Sequence, residues 1–169
     1  MRQGRRVALT IGLLIAALGA SALYITRTQQ AATPPTASHT APAFITVSSQ
    51  EALEAELANA ASHQQIAFVD YYADWCIPCK QFATQTFTDP KVAKQLSHMH
   101  RIKVNLSENR PDDFALMRRQ DVAGLPTIDF WLPSGERDAT ARITGFLSPQ
   151  DFITHLNQHG LQREIKSEQ

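Results

Sequence analysis

Two cysteines, Cys76 and Cys79, are the residues of this chain best suited to chemistry, and they lie three positions apart in the segment DYYADWCIPCK. The chain of 169 residues contains no other cysteine. A disulfide between them would close a very short loop and would remove little entropy from the unfolded chain. We therefore set aside a purely structural crosslink, which leaves metal binding and redox chemistry as the candidate roles.

A metal site would need two ligands besides the cysteines. His155 and His159 have the i, i+4 spacing that places two side chains on one face of a helix, so a Cys2His2 site is conceivable. The histidines are about 75 residues away from the cysteines, far from the ligand spacing of zinc fingers. A polar face on a terminal helix is the simpler interpretation, and we expect no metal.

Redox chemistry agrees better with the position of the cysteines. Cys76 follows an apolar segment, residues 66–73, that predicts a strand buried on both faces, and a helix is predicted to begin at Cys76. The N–H groups and partial positive charge of a helix N-terminus stabilise a thiolate, which is the form that attacks a disulfide. Cys79, one turn later, can then displace the partner from the mixed disulfide. Pro78 falls in the first turn, where its missing N–H has no cost.

Asp70 is the one acidic residue inside the apolar segment 66–73. A buried carboxylate without a partner is costly, so we expect Asp70 to hold its proton more tightly than usual. The turn after the strand could bring this carboxylate beneath Cys79, where it would accept a proton as Cys79 attacks. The alternative is an acid that faces solvent at the edge of a sheet.

The rest of the chain predicts an α/β domain with the element order βαβαβαββα. Parallel pairing with crossover helices is expected in the first part and a hairpin near the end. The predicted strands are 44–47, 66–73, 101–106, 127–132 and 139–144. Four helices are predicted. The first begins at a Ser48/Glu51 capping box and ends near Ala61, and the second runs from Cys76 to about Leu96 with an interruption near Pro90. The third covers 111–120, and the fourth runs from Ser148 to about His159.

The N-terminal region predicts export from the cytoplasm. Arg2, Arg5 and Arg6 precede 19 residues without a charge, 7–25, which is long enough to cross a membrane as a helix with its N-terminus in the cytoplasm. We expect an uncleaved anchor over residues 1–25, with a signal peptide cut after Ala20-Ser21-Ala22 as the alternative.

Beyond this segment we expect three regions. Residues 26–43 contain three prolines and predict a flexible linker. Residues 44–163 form the predicted domain, and residues 164–169 form a tail. Residues 44–169 carry 12 basic and 16 acidic groups, which argues against a nucleic-acid partner. We expect a monomer.

Several motifs resemble the thioredoxin superfamily. These are FVDYYADWCIPCK at 68–80, GLPT at 124–127 and RITGF at 142–146. YADWC, TFTDPKV and GLPTI are especially similar to the C-terminal periplasmic thioredoxin-like domain of DsbD-type transmembrane reductases. The resemblance covers residues 44–160. It implies a thioredoxin fold, with a central mixed sheet flanked by helices.

The same resemblance implies roles for individual residues. Cys76 would be the exposed nucleophile, Cys79 the resolving thiol and Asp70 the buried acid. Trp75 would be the aromatic residue before the first cysteine, and Pro126 would follow a cis peptide bond. The residues expected to form the substrate-binding site are Trp75, Ile77, Pro78, Leu125 and Pro126.

Two features depart from the family pattern. The dipeptide Ile77-Pro78 is neither the Gly-Pro of cytoplasmic thioredoxin nor the usual pair of the DsbD domain, and this dipeptide tunes the redox potential. Ala83 stands where DsbD-type domains tend to carry a further acid. The multi-span electron-transfer domain is not found in the sequence, so a separate membrane protein is expected to supply electrons.

Together these features predict an exported, membrane-tethered protein-disulfide reductase in the periplasm of a bacterium, held at the inner membrane by one span or soluble after cleavage. The resemblance implies an integral-membrane electron donor of the DsbD or CcdA type. It also implies exported proteins with disulfides as clients, among them apocytochromes in cytochrome c maturation. No cofactor is expected, because the sulfurs carry the electrons. The alternatives are an oxidant or isomerase of the same fold, or a non-enzymatic binding module or metal chaperone.

Overall fold

The computed structural model describes residues 43–162, which contain one five-stranded mixed sheet. The strands are β1 (Ile45–Val47), β2 (Ala67–Tyr72), β3 (His100–Asn105), β4 (Thr127–Trp131) and β5 (Ile143–Thr144). Their order across the sheet is β1-β3-β2-β4-β5. The first three pair in parallel, and β4 and β5 pair antiparallel to their neighbours. β2, which leads into the two cysteines, is therefore the central strand.

Helices cover both faces of this sheet. They are α1 (Gln50–Ser62), α2 (Ile77–Gln81), α3 (Pro90–Leu96), α4 (Pro111–Arg119) and α5 (Pro149–Gln158). A π-helical turn, Phe82–Thr86, follows α2 directly, and a 3-10 turn, Ala139–Ala141, precedes β5. Serine and aspartate side chains cap the helices that follow Ser49, Asp89 and Ser148.

β2 separates two apolar clusters because successive side chains of a strand point to opposite faces. On one face Phe68 packs with Ile128 and Phe130 of β4, and with residues of α3, α5 and the π-helical turn. On the other face Val69 and Tyr71 pack with residues of α1 and α4. Both faces of β2 are buried, as its continuous apolar sequence predicts.

The predicted fold class and element order are confirmed, and three boundaries need correction. Ser49, rather than Ser48, caps α1, since its hydroxyl accepts the Ala52 N–H at 3.2 Å. The predicted interruption near Pro90 is present, since α3 begins there with Asp89 as its cap, but the segment before it is divided into α2 and the π-helical turn. The last hairpin strand pairs only over Ile143–Thr144, because the 3-10 turn occupies the first half of the predicted segment.

Several predictions concern residues outside the described range. The anchor at 1–25, the tail at 164–169 and all of the linker except Ala43 lie there. Within residues 43–162, no helix combines the length and apolar character needed to cross a membrane.

Candidate functional site

The two cysteines lie where β2 turns into α2, and they form a disulfide with a Cα–Cα distance of 5.3 Å. Cys76 is the N-cap of α2, and Pro78 occupies the first turn of the helix. The backbone N–H of Cys79 donates to Cys76 Sγ at 3.2 Å. A sulfur at this position accepts an N–H and lies at the positive end of a helix, and both features favour the thiolate when the disulfide is reduced.

The residues of the cysteine turn differ in solvent exposure. Cys76 is only 4% exposed, so the prediction of an exposed nucleophile does not hold for the disulfide form. Its sulfur is bonded to Cys79, and both cysteines pack with Ala73 and Leu125. The neighbouring Trp75 and Ile77 are 56% and 72% exposed. Large exposed apolar side chains beside a redox pair offer a surface on which another protein can dock.

Asp70 lies in the middle of β2 and is 3% exposed, which rules out the alternative of an acid facing solvent at a sheet edge. It shares a face of the sheet with Phe68, and Phe82, three residues after Cys79, belongs to the apolar cluster on that face. Asp70 therefore lies on the side of the sheet that carries the active-site helix, and its position beneath Cys79 stays a prediction.

The environment of Asp70 disfavours its charged form. Burial raises its pKa from 3.8 to about 7, while the positive charge of Lys103 acts in the opposite direction. Lys103 Nζ is 3.8 Å from Asp70 Oδ2, beyond hydrogen-bond distance, and Asp70 Oδ1 has no hydrogen-bond partner among the described residues. A carboxyl group with such a pKa can accept and release a proton near neutral pH.

Lys103 is a residue of this site that the sequence prediction missed. It lies on β3 directly opposite Asp70 in the pairing register, with its ammonium 4.5 Å from the ring centroid of Tyr72 and 5.0 Å from that of Phe44. The sequence did contain a signal that could have pointed to Lys103. It is a lysine between Ile102 and Val104, two residues that the alternating pattern places in the core.

Ser107 is a second residue that was missed, and it holds the turn before Cys76. Its hydroxyl accepts the Asp74 N–H at 2.8 Å and donates to Asn105 Oδ1 at 2.5 Å. Its carbonyl accepts the indole N–H of Trp75 at 3.2 Å. The contacts with Asp74 and Trp75 join positions more than thirty residues apart, so no local pattern could reveal them.

The predicted Leu125-Pro126 segment does lie beside the cysteines. Leu125 packs against the cluster formed by Ala73, Cys76 and Cys79, and the peptide bond between Leu125 and Pro126 is cis, as the resemblance implied. Pro126 is buried, and its carbonyl accepts the Gly145 N–H at 3.1 Å. The structure thus brings together the cysteines, their exposed flanking residues and this loop, whereas Asp70 lies in the strand on the helix side.

The histidines that could have completed a metal site are engaged elsewhere. His155 Nε2 lies 2.8 Å from the Ala141 carbonyl oxygen, and the His155 and His159 rings pack with their centroids 4.5 Å apart on α5. Within the described part of the chain, no three His, Cys, Asp or Glu side chains are grouped so that they could hold a metal ion.

Comparison with known proteins agrees with this fold. Residues 53–160 match the family model of the thioredoxin-like domain. The chain is 39% identical over 118 residues to the thiol:disulfide interchange protein DsbD of Vibrio cholerae, which covers 70% of this chain and 20% of that protein. It is 43% identical over 90 residues to DsbD of Haemophilus ducreyi, covering 53% of this chain and 16% of that protein.

Solved structures agree with these sequence matches. The oxidised C-terminal domain of Neisseria meningitidis DsbD superposes with a TM-score of 0.60 at 26% identity, covering 68% of this chain and 98% of that domain. A thioredoxin from Thermus thermophilus gives a TM-score of 0.53 at 26% identity, covering 69% and 87%. The chain spans about a fifth of the length of the curated relatives it matches. From its matched domain, its fold and its cysteine pair, the chain belongs to the thioredoxin-like family.

Proposed function

We propose that this protein is a thiol:disulfide oxidoreductase that exchanges its Cys76–Cys79 disulfide with the thiols and disulfides of other proteins. The observation that carries the proposal is the cysteine pair at the start of α2, flanked by exposed Trp75 and Ile77 and packed against Leu125. The naming of DsbD relatives as thiol:disulfide interchange proteins supports the same chemistry. The two sulfurs carry the electrons, and the proposal includes no cofactor.

In the reducing direction the reaction has two steps. The Cys76 thiolate attacks one sulfur of a client disulfide, so a mixed disulfide forms and the other client sulfur leaves as a thiolate. Asp70, ionised, accepts the proton of Cys79, whose sulfur then attacks Cys76 Sγ and releases the second client thiolate. Two electrons pass to the client, and the protein is left with the Cys76–Cys79 disulfide, the state that the structure shows.

We further propose that the protein works as a reductant at the outer face of a bacterial inner membrane. The predicted segment 7–25 would tether the domain in the periplasm, and an integral-membrane protein of the DsbD or CcdA type would return electrons to it. The clients would be periplasmic proteins with disulfides. Equilibration with glutathione tests the direction: a potential near −270 mV supports reduction, and one near −120 mV would make the protein an oxidant.

Trapping of the mixed disulfide tests the exchange itself. Cys79→Ser protein retains the attacking sulfur and lacks the resolving one, so it should accumulate adducts with exported proteins that dithiothreitol releases. The Cys76→Ser/Cys79→Ser protein is the matched control and should give none. If Cys79→Ser forms no adducts under conditions in which a thioredoxin trap variant does, the proposed activity is wrong.

A further inference from the structure

A second buried carboxylate, that of Asp129 on β4, takes no part in the reaction described above. Asp129 is 0% exposed and pairs with Val69 in the sheet register, so it lies on the face opposite Asp70. Arg142 binds it with two hydrogen bonds, from Nε to Oδ1 and from Nη2 to Oδ2, each of 2.7 Å. Arg137 Nη1 lies 3.7 Å from Oδ2. A bidentate pair of this kind fixes the orientation of the guanidinium.

The guanidinium of Arg142 also binds the end of α4. Nη1 donates to the Asp121 carbonyl at 2.6 Å, and Nη2 donates to the Gln120 carbonyl at 2.8 Å. Gln120 is the C-cap of α4 and Asp121 is the first residue after it, so Arg142 binds the chain where the helix ends; these two carbonyls are called the α4 carbonyls. Arg137 binds the chain at the same place, since its Nη1 donates to the Gln120 carbonyl at 2.7 Å.

These carbonyls lie immediately before the loop 122–126, which carries Leu125 to the cysteines. At the other end of the loop the Gly145 N–H donates to the Pro126 carbonyl at 3.1 Å. The short segment 142–145 thus binds the chain on both sides of the loop. The Arg142 side chain binds the residues just before it, and the Gly145 backbone binds its last residue, Pro126.

Packing holds one side of this loop, where Val122 and Pro126 are buried and Leu125 packs against the cysteines, and leaves the other side open. A cleft of about 540 Å³ adjoins it, with Gly124, Leu125, Pro126 and Arg142 among its lining residues. A Cβ atom added at Gly124 would meet no atom within 4 Å. The loop has room to move on that side, so the hydrogen bonds at its ends, and the one from Thr127 Oγ1 to the Gly124 carbonyl at 2.8 Å, add to the packing in fixing its position.

We propose that Arg142, oriented by Asp129, is a positioning residue that holds the loop 122–126 so that Leu125 stays against the cysteine pair. Arg142 acts through the α4 carbonyls and this loop, and it contacts neither sulfur. The inference rests on the proposed thiol–disulfide exchange, for which this loop is part of the client-docking surface. It assigns a role to the first residue of the RITGF motif, which the cysteine chemistry leaves unexplained.

The test compares a variant that removes both charges with one that keeps a single donor. Asp129→Leu/Arg142→Met replaces a buried ion pair by apolar side chains, an exchange that often leaves stability unchanged. It removes the two donors from Arg142 to the α4 carbonyls and leaves the one from Arg137 to Gln120. Arg142→Lys keeps the charge and loses the bidentate geometry. Arg101→Met is the matched control, because Arg101 also donates to backbone carbonyls, those of Ala43, Leu96 and Met99.

Each protein is assayed for reduction of insulin with dithiothreitol as electron donor, for amide hydrogen exchange of residues 122–125, and for its reduction potential. In the double variant we expect KM for insulin to rise about tenfold and the loop amides to exchange about tenfold faster, which corresponds to the loss of one or two hydrogen bonds. The potential should stay unchanged. The KM and the loop exchange rate of Arg142→Lys should lie between those of the double variant and wild type. Arg101→Met should match wild type in both quantities.

The inference is wrong if a folded double variant keeps the wild-type KM and loop exchange. It is also wrong if KM rises while the loop amides remain protected, since Arg142 would then act by another route. If the double variant fails to fold, Arg142→Lys decides between these outcomes. A wild-type protein that does not reduce insulin would contradict the proposed function, and hydrogen exchange of the loop would still show whether Arg142 holds it.

Discussion

Asp70→Asn should make the protein more stable in a way that depends strongly on pH. Burial raises the pKa of Asp70 from 3.8 to about 7, so the folded protein holds this proton more tightly than the unfolded chain does. The free energy of unfolding therefore falls as pH rises from about 4 to about 7, and the contribution is constant outside that window. Three pKa units at 1.36 kcal/mol each make this loss about 4 kcal/mol.

The asparagine variant lacks this titration, so its advantage over wild type should grow from near zero at pH 4 to about 4 kcal/mol at pH 7 and above. Urea unfolding of both proteins in the disulfide form, at intervals from pH 4 to 8, measures the difference. Because the amide has nearly the shape of the carboxyl group, packing is matched. Parallel pH profiles for the two proteins would show that Asp70 titrates at its ordinary pKa and would remove the physical basis for its role.

The same substitution should slow exchange while it stabilises the fold. An amide accepts no proton at neutral pH, so the step in which Cys79 attacks should lose the rate increase that wild type shows as pH passes about 7. Stopped-flow measurement of client release from the mixed disulfide follows that step directly. Equal rates for both proteins from pH 6 to 8 would exclude Asp70 as the proton acceptor.

Two further substitutions test the residues that support this site. Lys103→Met removes the positive charge that lowers the pKa of Asp70, so the pH inflection of the Cys79 step should move to higher pH, and no inflection should remain when Asp70→Asn is added. Ser107→Ala removes the acceptor of the Asp74 N–H and should lower the free energy of unfolding by about 1 kcal/mol. Urea unfolding, followed by Trp75 fluorescence in a Trp131→Phe background, measures this change. Ser107→Thr keeps the hydroxyl and should restore the stability.

The central strand and the cysteine turn could be predicted from the sequence because their signals are local. The run 66–73 is apolar enough to predict burial on both faces, and it favoured burial of Asp70 over a position facing solvent at a sheet edge. The position of Cys76 at the start of a helix followed from where that run ends and from Pro78 in the next turn. Resemblance to the family added the cis bond before Pro126, which local pattern does not indicate.

The residues that hold the site in place could not be predicted in the same way. Ser107 reaches Asp74 and Trp75 across more than thirty positions, and Arg142 reaches Asp129 and the α4 carbonyls across 13 to 22 positions. Each is a polar residue in a segment that predicts an ordinary loop or strand. Their partners are fixed by the crossover connections of the sheet, so only the assembled fold brings them together.

Two of the buried carboxylates, those of Asp70 and Asp129, show how pairing decides what a buried acid does. Asp129 receives two hydrogen bonds of 2.7 Å from one guanidinium, and that guanidinium in turn holds backbone carbonyls, so the group is bound into the framework. Asp70 has a cation no nearer than 3.8 Å and one oxygen without a partner in the described chain. A buried carboxylate with a full set of donors stabilises a fixed arrangement of side chains. One that lacks donors is stabilised by binding a proton instead. The face of the sheet beneath the active-site helix carries the second kind, and the face that braces the loop 122–126 carries the first.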